Sequence, residues 1–287
     1  MGHIHGRHAR LGQSLGLNCD VVSVADENAA SAKELAATLN VAHYTNDIAS
    51  VLSDPNIDAI SLSIPVRTTY PTLAESIKAG KHVFSEKPGA YSSEEIKHLI
   101  DLLGDASDDQ KVAISYQKRC FAPIQRVKNS IDSGEIGSAN LVRTVARDMD
   151  ASEEQFIALS GTAFRDFFVH DFDLVRYLTE SRIAEVYSNG DVFVHDVYRK
   201  YNDVDYAQVS LKTESGVIGL CTMSRHCTYG YDQEIEVFGT QGKATFGNRW
   251  ENSAVFAGAA GFTRSQIMNH FSDLYPDAYL NSLAAFV

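Results

Sequence analysis

The 287-residue sequence lacks a hydrophobic run long enough to cross a membrane, because no segment approaches about 18 consecutive apolar residues. Residues 1–7 (MGHIHGR) also lack the apolar h-region of a secretory signal peptide. We therefore expect a cytoplasmic protein that makes no contact with a membrane.

Cysteine is scarce, and the spacing of the four cysteines excludes a C-x-x-C pair. Without such pairs we expect reduced thiols, each a small buried apolar residue, and no zinc or disulfide framework. Three histidines, His3, His5 and His8, lie close together at the N-terminus. Only His5 and His8 would share a face of a helix, so we interpret these residues as structural or solvated and predict no metal site there.

Positive charge is in deficit, since 25 Lys and Arg residues face 37 Asp and Glu residues, a formal net charge of −12. An acidic chain repels phosphate backbones, which argues against nucleic acid as a partner. The substrate is then expected to be neutral, or to be met by local positive charge.

The first 117 residues alternate between strand and helix signals. The strand-like segments are 21–25, 59–64, 82–85 and 112–116, and the helical ones are 29–39, 47–52, 70–79 and 92–103. Ser92 is a candidate N-cap of the last helix, with Glu95 at the capping-box position. This alternation predicts a parallel, doubly wound Rossmann sheet over residues 1–117.

The pattern changes after residue 117. Helices are predicted near 122–132 and 166–178, and long strands at 183–195, 204–213, 216–226, 232–239 and 243–247. Short Gly-containing segments at 214–216 and 239–242 predict hairpin turns. Residues 118–287 are therefore expected to form an α+β domain with an open, mainly antiparallel sheet.

Two residues near the N-terminus could contact a dinucleotide. A Rossmann fold normally begins with a strand and a G-x-G-x-x-G turn, and here only Gly2 could be the last glycine of that turn. Asp26 ends a strand 24 positions later, where an acidic residue accepts hydrogen bonds from the ribose. Such a carboxylate would repel a 2′-phosphate and favour NAD over NADP. Alternatively, Asp26 only caps the following helix.

A polar stripe marks the predicted helix at 166–178. Asp166, His170 and Asp173 share one face, while apolar residues cover the opposite side. His170 can titrate near neutral pH and could serve as a general base, and Asp166 could orient its ring. Spacing alone is equally compatible with a solvated polar face.

Residues 80–88 (GKHVFSEKP) resemble the G-K-H-V-x-x-E-K-P motif of the Gfo/Idh/MocA oxidoreductases. Residues 58–65 (DAISLSIP) resemble the fourth Rossmann strand of that family, and 161–173 (GTAFRDFFVHDFD) resemble its D-x-x-x-H-x-x-D helix. Residues 229–239 (YGYDQEIEVFG) are similar to its inositol 2-dehydrogenase branch. The resemblance covers essentially the whole chain, but the family's first strand and first two glycines are not in this sequence, and family members continue for a few dozen residues beyond residue 287. We therefore expect a chain truncated at both ends.

The resemblance implies a set of site residues. Lys87, Asp166 and His170 would be catalytic, and Lys87, fixed between a strand and Pro88, would hold the developing alkoxide. Gly2, Asp26, Pro65, Glu86 and Lys87 would contact the cofactor, and Gln117, Asp148, Asp173 and Tyr229 would contact substrate hydroxyls. Family members assemble through the second-domain sheet, so a homodimer or homotetramer is expected.

These features favour an enzyme that transfers a hydride from a secondary hydroxyl of a cyclic polyol, such as myo-inositol, to NAD. The intact set of Lys87, Asp166 and His170 supports this hypothesis. The missing Gly-rich strand favours the alternative, a truncated and catalytically inactive homologue with a binding or regulatory role. A dehydrogenase of another sugar would differ only in its substrate.

Overall fold

The computed structural model describes residues 2–287, with side chains from Ile4 onward. The chain divides into two compact units. The first unit comprises Met1–Gln117 and Asp277–Val287, and the second comprises Lys118–Pro276.

The first unit alternates helices and strands. Its elements are α1 (Gly2–Ser14), β1 (Ser23–Ala25), α2 (Ala29–Leu39), β2 (His43–Thr45), α3 (Ile48–Ser53), β3 (Ala59–Leu62), α4 (Val66–Lys78), β4 (His82–Glu86), α5 (Ser93–Gly104) and β5 (Val112–Ser115). β1 pairs with β2, and β3, β4 and β5 form a second sheet; all the pairings are parallel. Within residues 2–287 no strand bridges the two sheets. The predicted Rossmann fold is confirmed.

Local sequence fixes the ends of several of these helices. The Ser92 hydroxyl accepts the backbone N–H of Glu95, and the Glu95 carboxylate accepts the backbone N–H of Ser92, so the predicted capping box is formed. Helix α4 begins earlier than its predicted start at residue 70, and its buried Val66, Leu73 and Ile77 face the unit's core. The buried apolar residues on one face of α4 therefore determine where this helix begins and ends, although Pro71 lies within the helix.

The second unit is built around one mixed sheet. Its elements are α6 (Ala122–Asp132), β6 (Ala139–Arg147), α7 (Glu154–Ser160), α8 (Val169–Thr179), β7 (Ile183–Asp191), α9 (Val197–Lys200), β8 (Tyr206–Thr213), β9 (Ile218–Ser224), β10 (Asp232–Gly239), β11 (Lys243–Phe246), β12 (Val255–Gly258), β13 (Gly261–Arg264) and α10 (Phe271–Leu274). The main sheet has the order β11-β10-β6-β9-β8-β7. Its pairs are antiparallel except β6 with β9, which confirms a mainly antiparallel second domain.

One face of this sheet forms the core of the second unit, with α6 and α8 packed over it. Val142, Leu211 and Val237 point to that face and are almost fully buried. Most strand residues of the opposite face are partly or fully exposed. The open sheet predicted from the hairpin pattern is therefore present, and its uncovered face remains available.

Two expectations need correction. The helix predicted at 166–178 is a π-helical turn, Ala163–Phe167, followed by α8, because the N–H of Phe168 bonds the carbonyl of Ala163, five residues back. The last helix, α11 (Pro276–Phe286), was placed in the second domain but belongs to the first unit from Asp277 onward. The Phe286 ring lies 5.4 Å from Phe84 of β4, which accounts for that placement.

Candidate active site

The strands of the second unit end along one edge of its sheet. Arg147, Ser224, Tyr206 and Asp191 lie side by side in register on β6, β9, β8 and β7. β6, β9 and β7 all run toward this edge, whereas β8 starts from it. The residues that follow these strands therefore come from distant parts of the sequence and meet in space.

Arg225, directly after β9, is the charged centre of this edge. Only 4% of its side chain is exposed. Its guanidinium lies 3.1 Å from Asp166 Oδ2 and 3.5 Å from Asp148 Oδ2. Burial lowers the pKa of Arg225, but the two carboxylates outweigh burial and hold it above its usual value. The arrangement joins two predicted site residues, Asp148 and Asp166, around one cation.

The π-helical turn positions Asp166. Thr162, just before the turn, has φ 81° and ψ 164°, a backbone conformation that residues other than glycine rarely adopt. The N–H of Ala163 donates to Asp203 Oδ1 at 2.8 Å, which anchors the start of the turn. Backbone strain and π-helical turns both concentrate at functional sites. The local geometry is consistent with the predicted role of Asp166.

His170 lies in the first turn of α8 and is half-buried. Asp173, three residues later, is 7% exposed and its carboxylate is held by Arg119, whose Nε lies 2.8 Å from Oδ2. Burial raises the pKa of Asp173, and Arg119 offsets part of that shift. The stripe is therefore not a solvated polar face, since Asp166 and Asp173 are both largely enclosed and paired with arginines.

The other predicted substrate contacts occupy different positions. Tyr229 is half-exposed, donates its hydroxyl to Asp232 Oδ2 at 2.6 Å and accepts from Arg147 at 3.2 Å. Burial and Asp232 raise the pKa of its hydroxyl. Gln117 is the last residue of the first unit's main segment, and its buried Oε1 has no hydrogen-bond partner among the described residues. Such an unsatisfied oxygen suits a ligand that donates a hydroxyl proton.

In the first unit, the E-K-P motif follows the pattern expected from the sequence. Lys87 comes directly after β4, is half-buried, and is joined to Pro88 by a cis peptide bond. Glu86 is buried, and its Oε1 lies 2.8 Å from Nε2 of His5 on α1. The other nitrogen of His5 lies 2.7 Å from the hydroxyl of Ser61 on β3. Glu86 and His5 thus tie the helix to the strand that presents Lys87.

Three further residues of the first unit were predicted to bind the cofactor. Asp26 follows β1, is exposed, and accepts the N–H of Asn28 through Oδ1 at 2.8 Å. The N-cap of α2 is Asn28, so Asp26 does not cap that helix. Pro65 follows β3 as the residue before α4, and Gly2 is the first residue of α1. These residues lie at carboxyl ends of parallel strands or at a helix start, where Rossmann folds bind dinucleotides.

Sequence reasoning missed Arg225, and it interpreted His5 as structural or solvated without finding its partner Glu86. Little in the sequence indicated these contacts. Arg225 is only a cation near the end of a predicted strand, and His5 belongs to no recognisable motif. Their partners, Asp166 and Glu86, are 59 and 81 residues away, so only the tertiary structure reveals the pairing.

In comparisons with known proteins, each of the two units matches a domain of the same protein family. Residues 1–116 match the model of the GFO/IDH/MocA oxidoreductase family with an NAD-binding Rossmann fold, and residues 124–245 match a GFO/IDH/MocA C-terminal domain. The chain is 32% identical to myo-inositol 2-dehydrogenase of Thermotoga maritima, over 89% of this chain and 76% of that protein. It is 30% identical to scyllo-inositol 2-dehydrogenase (NAD⁺) of Bacillus subtilis, over 93% of this chain and 77% of that protein.

Solved structures agree with these sequence relatives. The crystal structure of a myo-inositol dehydrogenase from Corynebacterium glutamicum superposes with a TM-score of 0.90 at 26% identity, over 99% of this chain and 84% of that one. Among residues 2–287, no helix is both long enough and apolar enough to cross a membrane.

Proposed function

Because the chain belongs to the Gfo/Idh/MocA oxidoreductase family, with an NAD-binding Rossmann domain, we propose that it oxidises a secondary hydroxyl of an inositol-like cyclic polyol. NAD, when bound, accepts the hydride. The observation that carries the substrate class is the similarity to two inositol dehydrogenases over about nine-tenths of the chain. The carboxylates around Arg225 supply hydrogen-bond acceptors of the kind that a hydroxyl-rich ring needs.

The charge of the site favours a neutral substrate. Arg225 lies between Asp148 and Asp166, so its charge is already balanced within the protein. A carboxylate or phosphate on the substrate would have to compete with both aspartates for that guanidinium. Sugar and polyol hydroxyls can instead donate to carboxylate oxygens without disturbing the ion pairs.

The catalytic roles follow from the chemistry of each side chain. His170 would accept the proton of the reacting hydroxyl as general base. Asp166, held by Arg225 in the preceding π-helical turn, would favour the charged form of the imidazole. The Lys87 ammonium would stabilise the alkoxide as it forms. The buried pair of Glu86 and His5 would fix the strand end from which Lys87 projects.

Asp26 is proposed to select the cofactor. Its exposed carboxylate would accept hydrogen bonds from the ribose hydroxyls of NAD and would repel the 2′-phosphate of NADP. We expect Asp26→Asn to raise the NADP/NAD ratio of kcat/KM by about tenfold, the effect of about 1.4 kcal/mol of removed repulsion. Initial rates with both cofactors measure the ratio. Asp20→Asn serves as a matched control, and an unchanged ratio in Asp26→Asn would contradict this role.

The proposed reaction can be tested by following NADH formation with a panel of substrates. The panel contains myo-inositol, scyllo-inositol, an open-chain polyol and several aldoses, each supplied with NAD. We expect the highest kcat/KM with an inositol. Faster oxidation of an aldose would make the protein a dehydrogenase of another sugar. Binding of NAD and inositol without any turnover would support the inactive, regulatory homologue instead.

We propose that the uncovered face of the second-unit sheet forms the subunit interface of a homo-oligomer. Leu141, Ile218 and Phe238 lie side by side on β6, β9 and β10, and Ile218 and Phe238 are 55% and 50% exposed. Apolar residues contiguous on an open face indicate an interface. We expect a dimer or tetramer by light scattering, and we expect Ile218→Asp to shift it toward the monomer. Lys97→Ala, at an exposed position of α5 in the first unit, should leave the mass unchanged.

A monomeric mass for the unmodified protein at micromolar concentration would rule out this assembly.

All four cysteines are free thiols, which suits a reducing compartment. We accordingly propose that the enzyme works in the cytoplasm.

A further inference from the structure

At the same edge of the second-unit sheet, three loops bring two histidines and an aspartate together. Asp150 lies in the loop after β6, His195 in the loop after β7, and His226 in the loop after β9. Each offers one ligand atom, and these three atoms all lie within 4.8 Å of one another. The three strands end in one register row, which explains why residues so far apart in sequence converge.

The imidazole nitrogens at this point are left unsatisfied by the described residues. His195 Nε2 and His226 Nδ1 are both inaccessible to solvent and have no hydrogen-bond partner in the described part of the chain. Asp150 Oδ1 lies 3.4 Å from His195 Nε2. An ion pair between His195 and Asp150 would still leave His226 Nδ1 unexplained. A buried polar atom without a partner is costly, so a ligand that takes both nitrogens accounts for the arrangement.

The backbone around the cluster is already ordered. The Asp205 carboxylate accepts the N–H groups of Phe193, Val194 and His195 at 2.7–2.8 Å, which fixes the loop carrying His195. The Ser224 hydroxyl donates to the carbonyl of His226 at 2.9 Å and accepts the N–H of His226 at 3.1 Å. The two imidazole rings lie 5.2 Å apart between centroids. Both histidines are thus held in place before any ligand binds.

We propose that Asp150, His195 and His226 bind one divalent first-row transition-metal ion of the Zn²⁺ type. Two imidazoles and one carboxylate are preferred ligands of such ions, whereas Mg²⁺ and Ca²⁺ prefer an all-oxygen shell. Tetrahedral coordination with metal–ligand bonds of about 2.1 Å requires ligand atoms about 3.4 Å apart. The Asp150 side chain is 77% exposed, so it can rotate to close the remaining distance.

The site adjoins the proposed substrate residues without sharing them. Asp150 is two residues after Asp148, and His226 directly follows Arg225. A bound ion would link the loops that carry both of these residues. Its binding needs neither NAD nor polyol, so failure of the metal site and failure of the proposed dehydrogenase activity are separate results.

The test uses the untagged 287-residue chain, freed of metal with a chelator and then titrated with Co²⁺ and with Zn²⁺. We expect one ion per chain, a visible Co²⁺ absorption of the tetrahedral or five-coordinate type, and no comparable binding of Mg²⁺. His195→Ala and His226→Ala should each weaken Zn²⁺ binding by at least about 100-fold. His43→Ala, an exposed histidine of β2, and His3→Ala at the N-terminus are the controls and should bind as the unmodified protein does.

Thermal unfolding separates loss of the site from loss of the fold. Without metal, the two ligand variants should unfold at temperatures close to that of the unmodified protein. Added Zn²⁺ should raise Tm for the unmodified protein and both controls, but not for His195→Ala or His226→Ala. Absence of Co²⁺ and Zn²⁺ binding to the unmodified protein, or undiminished binding by the two variants, would overturn the proposal.

Discussion

Replacing His170 with alanine is expected to lower kcat for inositol oxidation by roughly 10²–10⁴-fold, because the variant lacks the group that we propose accepts the hydroxyl proton. The substitution removes a half-buried ring from the first turn of α8 and leaves the ion pairs of Asp166 and Asp173 with their arginines in place. We therefore expect the fold and the affinity for NAD to persist. Steady-state rates, together with NAD binding followed by fluorescence, measure the two quantities separately.

Chemical rescue distinguishes a lost base from a damaged site. Added imidazole or a more alkaline buffer should restore part of the activity of His170→Ala, since an external base can then take the proton. His43→Ala is the matched control, because His43 is exposed and its side chain forms no hydrogen bond with the residues that the structure describes. Full activity of His170→Ala would show that another group is the base, and a loss that neither imidazole nor pH restores would indicate a structural role.

Replacing Lys87 with methionine is expected to lower kcat by about 10²–10³-fold. Methionine keeps the length and apolar character of the side chain but removes the charge that would hold the alkoxide. Lys87 follows β4, whose last residue, Glu86, is anchored by His5, so the backbone of the variant should keep its position. The effect should appear in kcat and leave the dissociation constant for NAD nearly unchanged.

The control for this substitution is Lys97→Met, which removes a charge from an exposed position of α5. It should retain the rate of the unmodified protein. If Lys87→Met instead weakened NAD binding at an unchanged kcat, Lys87 would be a cofactor ligand and would not act on the alkoxide. If both groups serve the same step, as we propose, a double variant with His170→Ala should lose less than the product of the two single losses.

Local signals in the sequence were enough to predict much of the first unit. The capping residues Ser92 and Glu95 and the Ala-rich segment 29–39 specify their helices without help from distant residues, and both helices were predicted within a residue of their observed bounds. Short β2 was not predicted, since its three residues carry little apolar character and gain stability only by pairing with β1.

The central strand of the second unit was missed for a non-local reason. In β6, Arg143 and Arg147 interrupt the apolar pattern. Their charges are balanced by Glu234 and Asp232 on β10, about 90 residues later in the sequence. A one-dimensional pattern shows the two arginines but not their partners, so the segment does not read as a buried strand.

The same limit applies to the candidate site. The motifs predicted Lys87, Asp166 and His170 as catalytic residues, because each has a characteristic neighbourhood in sequence. The π-helical turn at 163–167 depends on Asp203, which accepts the N–H of Ala163 from 40 residues away. Arg225 becomes recognisable as part of the site only through its ion pairs with Asp148 and Asp166, which are distant in sequence. Sequence motifs therefore predict candidate site residues, whereas the contacts that hold those residues depend on partners that are distant in sequence.

The central claim is that a carbon-bound hydrogen of a cyclic polyol is transferred to NAD. It is tested most directly by incubating the protein with NAD and with myo-inositol deuterated at every carbon, and then measuring both products by mass spectrometry. The account predicts one deuterium in each NADH formed and an equal amount of the corresponding cyclic ketone. Unlabelled NADH, or binding of the polyol with no ketone formed, would contradict it.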